Sequence, residues 1–100
     1  MPSGFVGVLT CELHFPDAHS LKEKRHFVRS AKANLQNRVG ASVAEVDHHE
    51  LWQRARLTAA FVAREHRELE GLLDDAERYL IGQEWELVRV ERTIVDPDDA

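Results

Sequence analysis

One hundred residues with a net charge of −5, 43% of them hydrophobic and 31% charged, describe an ordinary globular domain with one modest core. That size excludes a second core and a deep, enclosed active site, and no apolar run approaches the ~18 residues of a membrane-spanning helix. The single cysteine, Cys11, excludes an internal disulfide; it alternates with Leu9 and Leu13, so it reads as a buried structural thiol. The total charge conceals a gradient, +3 over residues 1–40, neutral over 41–64 and −8 over 65–100. A chain divided in this way can hold an anionic partner on one surface despite its acidic total.

The N-terminal stretch MPSGFVGVLTCELHF has no basic leader, and Glu12 and His14 interrupt its apolar residues, so the cytoplasm is the expected compartment. Strict alternation from Phe5 to about Phe15 predicts a strand with Phe5, Gly7, Leu9, Cys11, Leu13 and Phe15 on one face and Val6, Val8, Thr10, Glu12 and His14 on the other. Pro16 and Asp17 end it. Ser20-Leu-Lys-Glu23 has capping-box spacing, in which the Ser20 hydroxyl accepts from the Glu23 amide and Glu23 reaches back to the amide of Ser20. A helix is therefore expected over 20–38, closed by Gly40. Leu21, Val28, Ala31, Leu35 and Val39 share its apolar face, and Lys22, Arg25, His26, Arg29 and Lys32 cluster opposite. Lys24 is the exception: its angle falls inside the apolar arc, where its ammonium must snorkel out or meet a carboxylate at the sheet edge such as Asp47.

Ser42 to Val62 alternates, passes through His48, His49 and Glu50, and alternates again, the pattern of a β-hairpin. Its helix-facing side takes Ala55, Leu57, Ala59 and Phe61. A second helix is expected from about Glu65 to Ile81 on a stripe of Leu69, Leu72, Leu73, Ala76 and Leu80, though Ala63-Arg64-Glu65 supplies no capping side chain. A last strand runs from Trp85 to about Val95, with Val88, Val90 and Ile94 in one register and Leu87, Arg89 and Glu91 in the other. Residues 96–100 form an acidic tail expected to fray.

The order is βαββαβ. Right-handed crossovers in both halves give a ferredoxin-like α+β sandwich, one domain over residues 1–95, with a four-stranded antiparallel sheet and both helices on one face. The other face is then bare, and Glu12, His14, Val43, Glu45, Asp47, Arg54, Arg56, Leu87 and Arg89 are expected to line it together with Thr10 and Thr58. Cross-strand ion pairs of Glu45 or Asp47 with Arg54 or Arg56 account for such a face at about 0.2–1 kcal/mol each, and it also offers a self-association surface.

The stretches HSLKEKR, His19 to Arg25, and SVAEVDHHELWQRA, Ser42 to Ala55, resemble the YlxP-like family, the bacterial domain-of-unknown-function family 503. The resemblance covers nearly the whole chain. It implies a ferredoxin-like fold and, through a gene neighbourhood beside translation initiation factor two and ribosome-binding factor A, a link to translation or ribosome maturation. It implies no established activity.

Two surfaces are candidates for function. Ser20, Lys22, Lys24 and Arg25 stand at a helix N-terminus, whose free amides and positive dipole end favour an anion, and Arg29 and Lys32 extend the charge outward. They would give weak, salt-sensitive contact with ribosomal RNA or a ribosomal subunit. Set against this is a solvated basic face with no partner. The second surface is the bare sheet, with Glu12, His14, Glu45, Asp47, Arg54, Arg56 and Arg89, acting as a dimeric protein-interaction module. Base stacking of the RNA-recognition type is not expected, because the central strands present Thr10, Arg54, Arg56 and Thr58 in place of aromatics, and Trp52 and Trp85 sit at strand starts as core or hairpin anchors. Consecutive Asp47, His48, His49 and Glu50 point to opposite sides of an extended chain, so no metal site is expected. No phosphate-binding glycine loop, G-x-S-x-G or H-E-x-x-H occurs, and the chain reads as a non-enzyme without cofactor, acting as a small binding protein.

Overall fold

The computed structural model describes residues 2–99. The elements are β1 (Phe5–His14), α1 (Leu21–Val39), β2 (Ser42–Asp47), β3 (Arg54–Ala63), α2 (His66–Ile81) and β4 (Glu86–Val95), with one 3-10 turn at Pro97–Asp99. The strands form an antiparallel sheet in the order β2-β3-β1-β4, which is the ferredoxin-like α+β arrangement expected from the element order.

The core lies between the helices and one face of the two central strands. Leu9, Cys11 and Leu13 of β1 and Ala55, Leu57, Ala59 and Phe61 of β3 are all buried. Large residues face small ones across the ladder, Leu9 opposite Ala59 and Leu13 opposite Ala55, which leaves room for Leu35 of α1 and Leu69 and Leu73 of α2 to interdigitate. At Gly7 a Cβ atom would stand 2.9 Å from Leu69 Cδ1, so α2 packs closest to the sheet where β1 has no side chain. Burial pushes the Cys11 thiol up to about 12, consistent with a structural thiol.

Ser20 caps α1 as expected, its hydroxyl accepting from the Glu23 amide at 3.1 Å, but the Glu23 carboxylate accepts from His19 N at 2.9 Å, one residue earlier than the predicted Ser20 amide. Gly40 closes the helix in the left-handed conformation, φ 66°. α2 begins without a side-chain cap and is held by its buried stripe of Leu69, Leu73, Ala76, Tyr79 and Leu80. The acidic tail does not fray over its described part: Asp98 accepts from both the amide and the hydroxyl of Ser3 at 2.7 Å, which also hold its carboxyl below the usual range. Ala100, the end of that tail, lies outside the described residues.

Both edge strands carry a single-residue bulge. In β2 the register passes from Glu45 opposite Leu57 to Asp47 opposite Arg56, leaving Val46 over; in β4 it passes from Leu87 opposite Leu13 to Arg89 opposite Glu12, leaving Val88 over. An inserted residue restarts the alternation on the other face. Val43, Glu45 and Leu87 therefore lie on the helix side, not on the open side expected for them, and Val88 is exposed instead of joining the core register of Val90 and Ile94. Ser42 and Ala44, opposite Ala60 and Thr58, take the open positions in β2.

Candidate functional site

The bulges bring four charged residues of alternate sign into one row across the open face: Asp47, Arg56, Glu12 and Arg89, one from each strand in sheet order. Arg56 Nε donates to Glu12 Oε1 and its Nη1 lies 3.6 Å from Asp47 Oδ2. The Glu12 hydrogen bond is the main reason that the guanidinium of Arg56 holds its proton more tightly than usual. Arg89 reaches Glu91 along its own strand, and His14 Nδ1 lies 3.1 Å from Glu86 Oε2 in the next row. Thr10 and Thr58, one row inward, hydrogen-bond to each other at 2.9 Å. A depression of about 140 Å³ lies among Thr10, Glu12, Arg56, Arg89 and Glu91.

His48 joins this face to the helix side. It has φ 65°, the only non-glycine residue with positive φ among those described, and three contacts pin it there. Its amide donates to Asp47 Oδ1 at 2.7 Å, its ring Nε2 stands 3.2 Å from Glu12 Oε2, and its carbonyl accepts from Lys24 Nζ. That amide, followed by the His48 ring and Arg56, holds the Asp47 carboxyl below the usual carboxylate range.

Lys24 is 1% exposed and its ammonium is 2.8 Å from Glu45 Oε2. Two sequence expectations change with that contact. Lys24 leaves the anion-binding set, because its charge is sealed between α1 and β2. Glu45 leaves the interaction face, because the bulge at Val46 turns it toward the helix; Asp47, the carboxylate expected for Lys24, is on the other side of the sheet. Gln53 makes a second tie, its side-chain amide donating to the carbonyls of Pro16 and Ala18 at 3.3 and 3.2 Å. The two sequence stretches His19–Arg25 and Ser42–Ala55 are thus physically joined.

The rest of the helix-one set divides. Ser20 is occupied as the cap of the Glu23 amide, and the Glu23 carboxylate already places a negative charge beside the same helix terminus. Lys22, Arg25 and Arg29 are exposed and Lys32 half-buried on the outer face. Among the described residues no carboxylate pairs with any of these four, nor with Arg38, Arg54, Arg64 or Arg67, whereas Lys24, Arg56, Arg78, Arg89 and Arg92 are ion-paired.

Trp52 is not the core or hairpin anchor expected of it. Its neighbour Gln53 is the anchor of the hairpin loop, and Trp52 is 52% exposed, lining with His14, Leu51 and Arg54 an open cleft of about 430 Å³. The available signal was its place in the connector, which runs through 48–53 because β3 begins only at Arg54. Trp85, by contrast, is buried and donates to the Leu80 carbonyl at 3.0 Å. Among the described residues no three His, Cys, Asp or Glu side chains converge as a metal site requires, and no helix is long and apolar enough to cross a membrane.

Residues 6–92 match the model of a family described as "Protein of unknown function (DUF503)". The chain belongs to this family. It is 30% identical over 90 residues to the "Uncharacterized protein YlxP" of Bacillus subtilis (strain 168), an alignment covering 80% of this chain and 98% of the relative. Among solved structures it is similar to the de novo designed protein Ferredog-Diesel, with a TM-score of 0.43 and 15% identity, covering 89% of this chain and 86% of the designed one.

Proposed function

We propose that this member of the DUF503 family is a small non-catalytic RNA-contact protein that lays Lys22, Arg25, Arg29 and Lys32 of α1 along a phosphate backbone, with ribosomal RNA as its target. The observation that carries this is placement: these four cations, none of them in an ion pair among the described residues, share the outer side of one helix, whereas the other unpaired arginines, Arg38, Arg54, Arg64 and Arg67, are scattered over the end of α1, β3, the β3–α2 connection and α2. Their spacing of three, four and three residues keeps them on one side of the helix, over about 15 Å of its axis. That length matches three to four phosphates of one strand. Binding without catalysis agrees with the state of the two central-strand hydroxyls and the one thiol: Thr10 and Thr58 bond each other, and the Cys11 thiol is buried and far from ionising. The stripe faces away from the open sheet, so RNA contact and self-association through that sheet are separable.

Fluorescence anisotropy with a labelled helical fragment of ribosomal RNA tests the proposal. Displacing three to four counterions gives a log–log salt slope of about −3, so affinity should fall about 60-fold between 50 and 200 mM salt. The triple variant Arg25→Glu, Arg29→Glu, Lys32→Glu should reduce binding to background at unchanged thermal stability. Equal binding by the variant, or a salt slope near zero, sinks the proposal.

A further inference from the structure

The open face carries a pattern that is complementary to itself under one symmetry operation. Reading across the sheet from β2 to β4, the charged row is Asp47, Arg56, Glu12, Arg89, with signs −, +, −, + and zero net charge. The next row, Ala44, Thr58, Thr10 and Glu91, carries one acid, which Arg89 pairs along its own strand; the row after it, Ser42, Ala60, Val8 and Thr93, is neutral, and the row beyond is apolar, Val62, Val6 and Val95. Val62 is 72% exposed and Val95 44%, at the end of the face remote from the charges. The sign pattern is antisymmetric about the line between the central strands β3 and β1, whereas the polarity pattern runs along the strands.

We infer that the open face is covered by a second copy of this chain, related by a two-fold axis lying in the interface parallel to the strands. That axis lays β2 over β4 and β3 over β1 of the second copy. Asp47 then faces Arg89 of the second copy, Arg56 faces its Glu12, Thr58 faces its Thr10, and the valine rows meet each other. The other two-folds fail on the same residues. An axis across the strands drives the valines onto the charged row. An axis normal to the sheet joins edges, and the Val46 and Val88 bulges break the hydrogen-bonding rows that such pairing needs. Face-to-face sheets stand about 10 Å apart, a gap that facing arginine and aspartate side chains span. The ion pairs select register and orientation, and the valine rows supply the apolar burial.

Area sets the strength. Four strands about 4.8 Å apart and about eight residues long give roughly 500 Å² per copy, near the lower limit for a specific interface, so the dimer belongs to the weak, reversible class.

Asp47 and Arg89 lie on opposite edges of one sheet and are both exposed, so within a chain they do not touch, and each can be reversed without opening the core. Sedimentation equilibrium from about 1 to 500 μM on wild type, Asp47→Arg, Arg89→Asp and an equimolar mixture of the two variants tests the inference. Each variant alone places two like-charged pairs in the interface and should dimerise at least about tenfold more weakly. The mixture restores an opposite charge at every position and should recover dimer within about threefold of wild type. Val62→Lys, at the apolar end, should be monomeric throughout. A wild type that stays monomeric at every concentration overturns the inference and leaves the face to a different partner. Equal dimerisation by both single variants, or no recovery on mixing, overturns the proposed axis.

Discussion

On the helix side of the sheet one ammonium, Lys24, is sealed against Glu45 and the His48 carbonyl; on the open side Asp47, Arg56, Glu12 and Arg89 stand in a row that solvent reaches. Glu45 and Asp47 are two residues apart in one strand and differ only in the side of a bulge on which they fall. The buried pair fastens α1 to the hairpin and has no charge left for a partner. The open row leaves Asp47 and Arg89 exposed at its two ends and so retains capacity for recognition. Charge is thus no guide to function in this chain until burial is known: Lys22 and Lys24 are neighbours on one helix, and only the first can meet a phosphate.

The largest effect expected from this contrast is on the helix side. Lys24→Met leaves Glu45 and the His48 carbonyl without their donor and should lower stability by about 3 kcal/mol, or melting by about 15 °C, in a calorimetric scan. Adding Glu45→Leu should return much of the loss, because the pair is replaced by apolar contact instead of being broken. A single variant as stable as wild type would show that the pair fastens nothing. On the open side Arg56→Met should cost only about 1 kcal/mol in urea denaturation, since Glu12 retains His48 and some access to solvent. A loss as large as that of Lys24→Met would erase the distinction between the faces. The smallest effect is at Asp47. Its folded carboxyl titrates below the ordinary 3.8, so its contribution is present above that value and is lost as pH falls through the lower folded one. Asp47→Asn should therefore flatten the acid limb of a stability–pH curve below about pH 4 and leave the curve at pH 7 nearly unchanged in shape. A steeper acid limb in the variant would contradict the assignment.

The parts of the fold legible in the sequence were those with uninterrupted periodicity. Leu9, Cys11 and Leu13, the Ser20 cap, and the Leu69 to Leu80 stripe each repeat at a strand or helix period, and βαββαβ order with right-handed crossovers leaves few topologies. The failures come from single insertions. A bulge adds one residue to one strand only, and nothing in Glu45-Val46-Asp47 or Leu87-Val88-Arg89 differs from ordinary alternation, so every residue on the far side of each bulge is assigned to the wrong face. Lys24 was visible as an anomaly, but its partner depends on which side Glu45 takes. Trp52 was read as an anchor because buried tryptophans are common at strand starts, whereas the loop is tied down by Gln53 through carbonyls some 35 residues away. The Asp98 clasp on Ser3 joins the two ends of the chain and has no local signature.

The most direct test of the proposed function is co-sedimentation of the purified protein with separated ribosomal subunits at low and moderate salt, wild type beside the Arg25, Arg29 and Lys32 charge-reversal variant. Wild type should pellet with one subunit at low salt, release as salt rises, and be matched by no binding of the variant. Absence of wild-type binding at low salt, or pelleting of both proteins alike, would contradict the assignment of α1 as the RNA-contact surface.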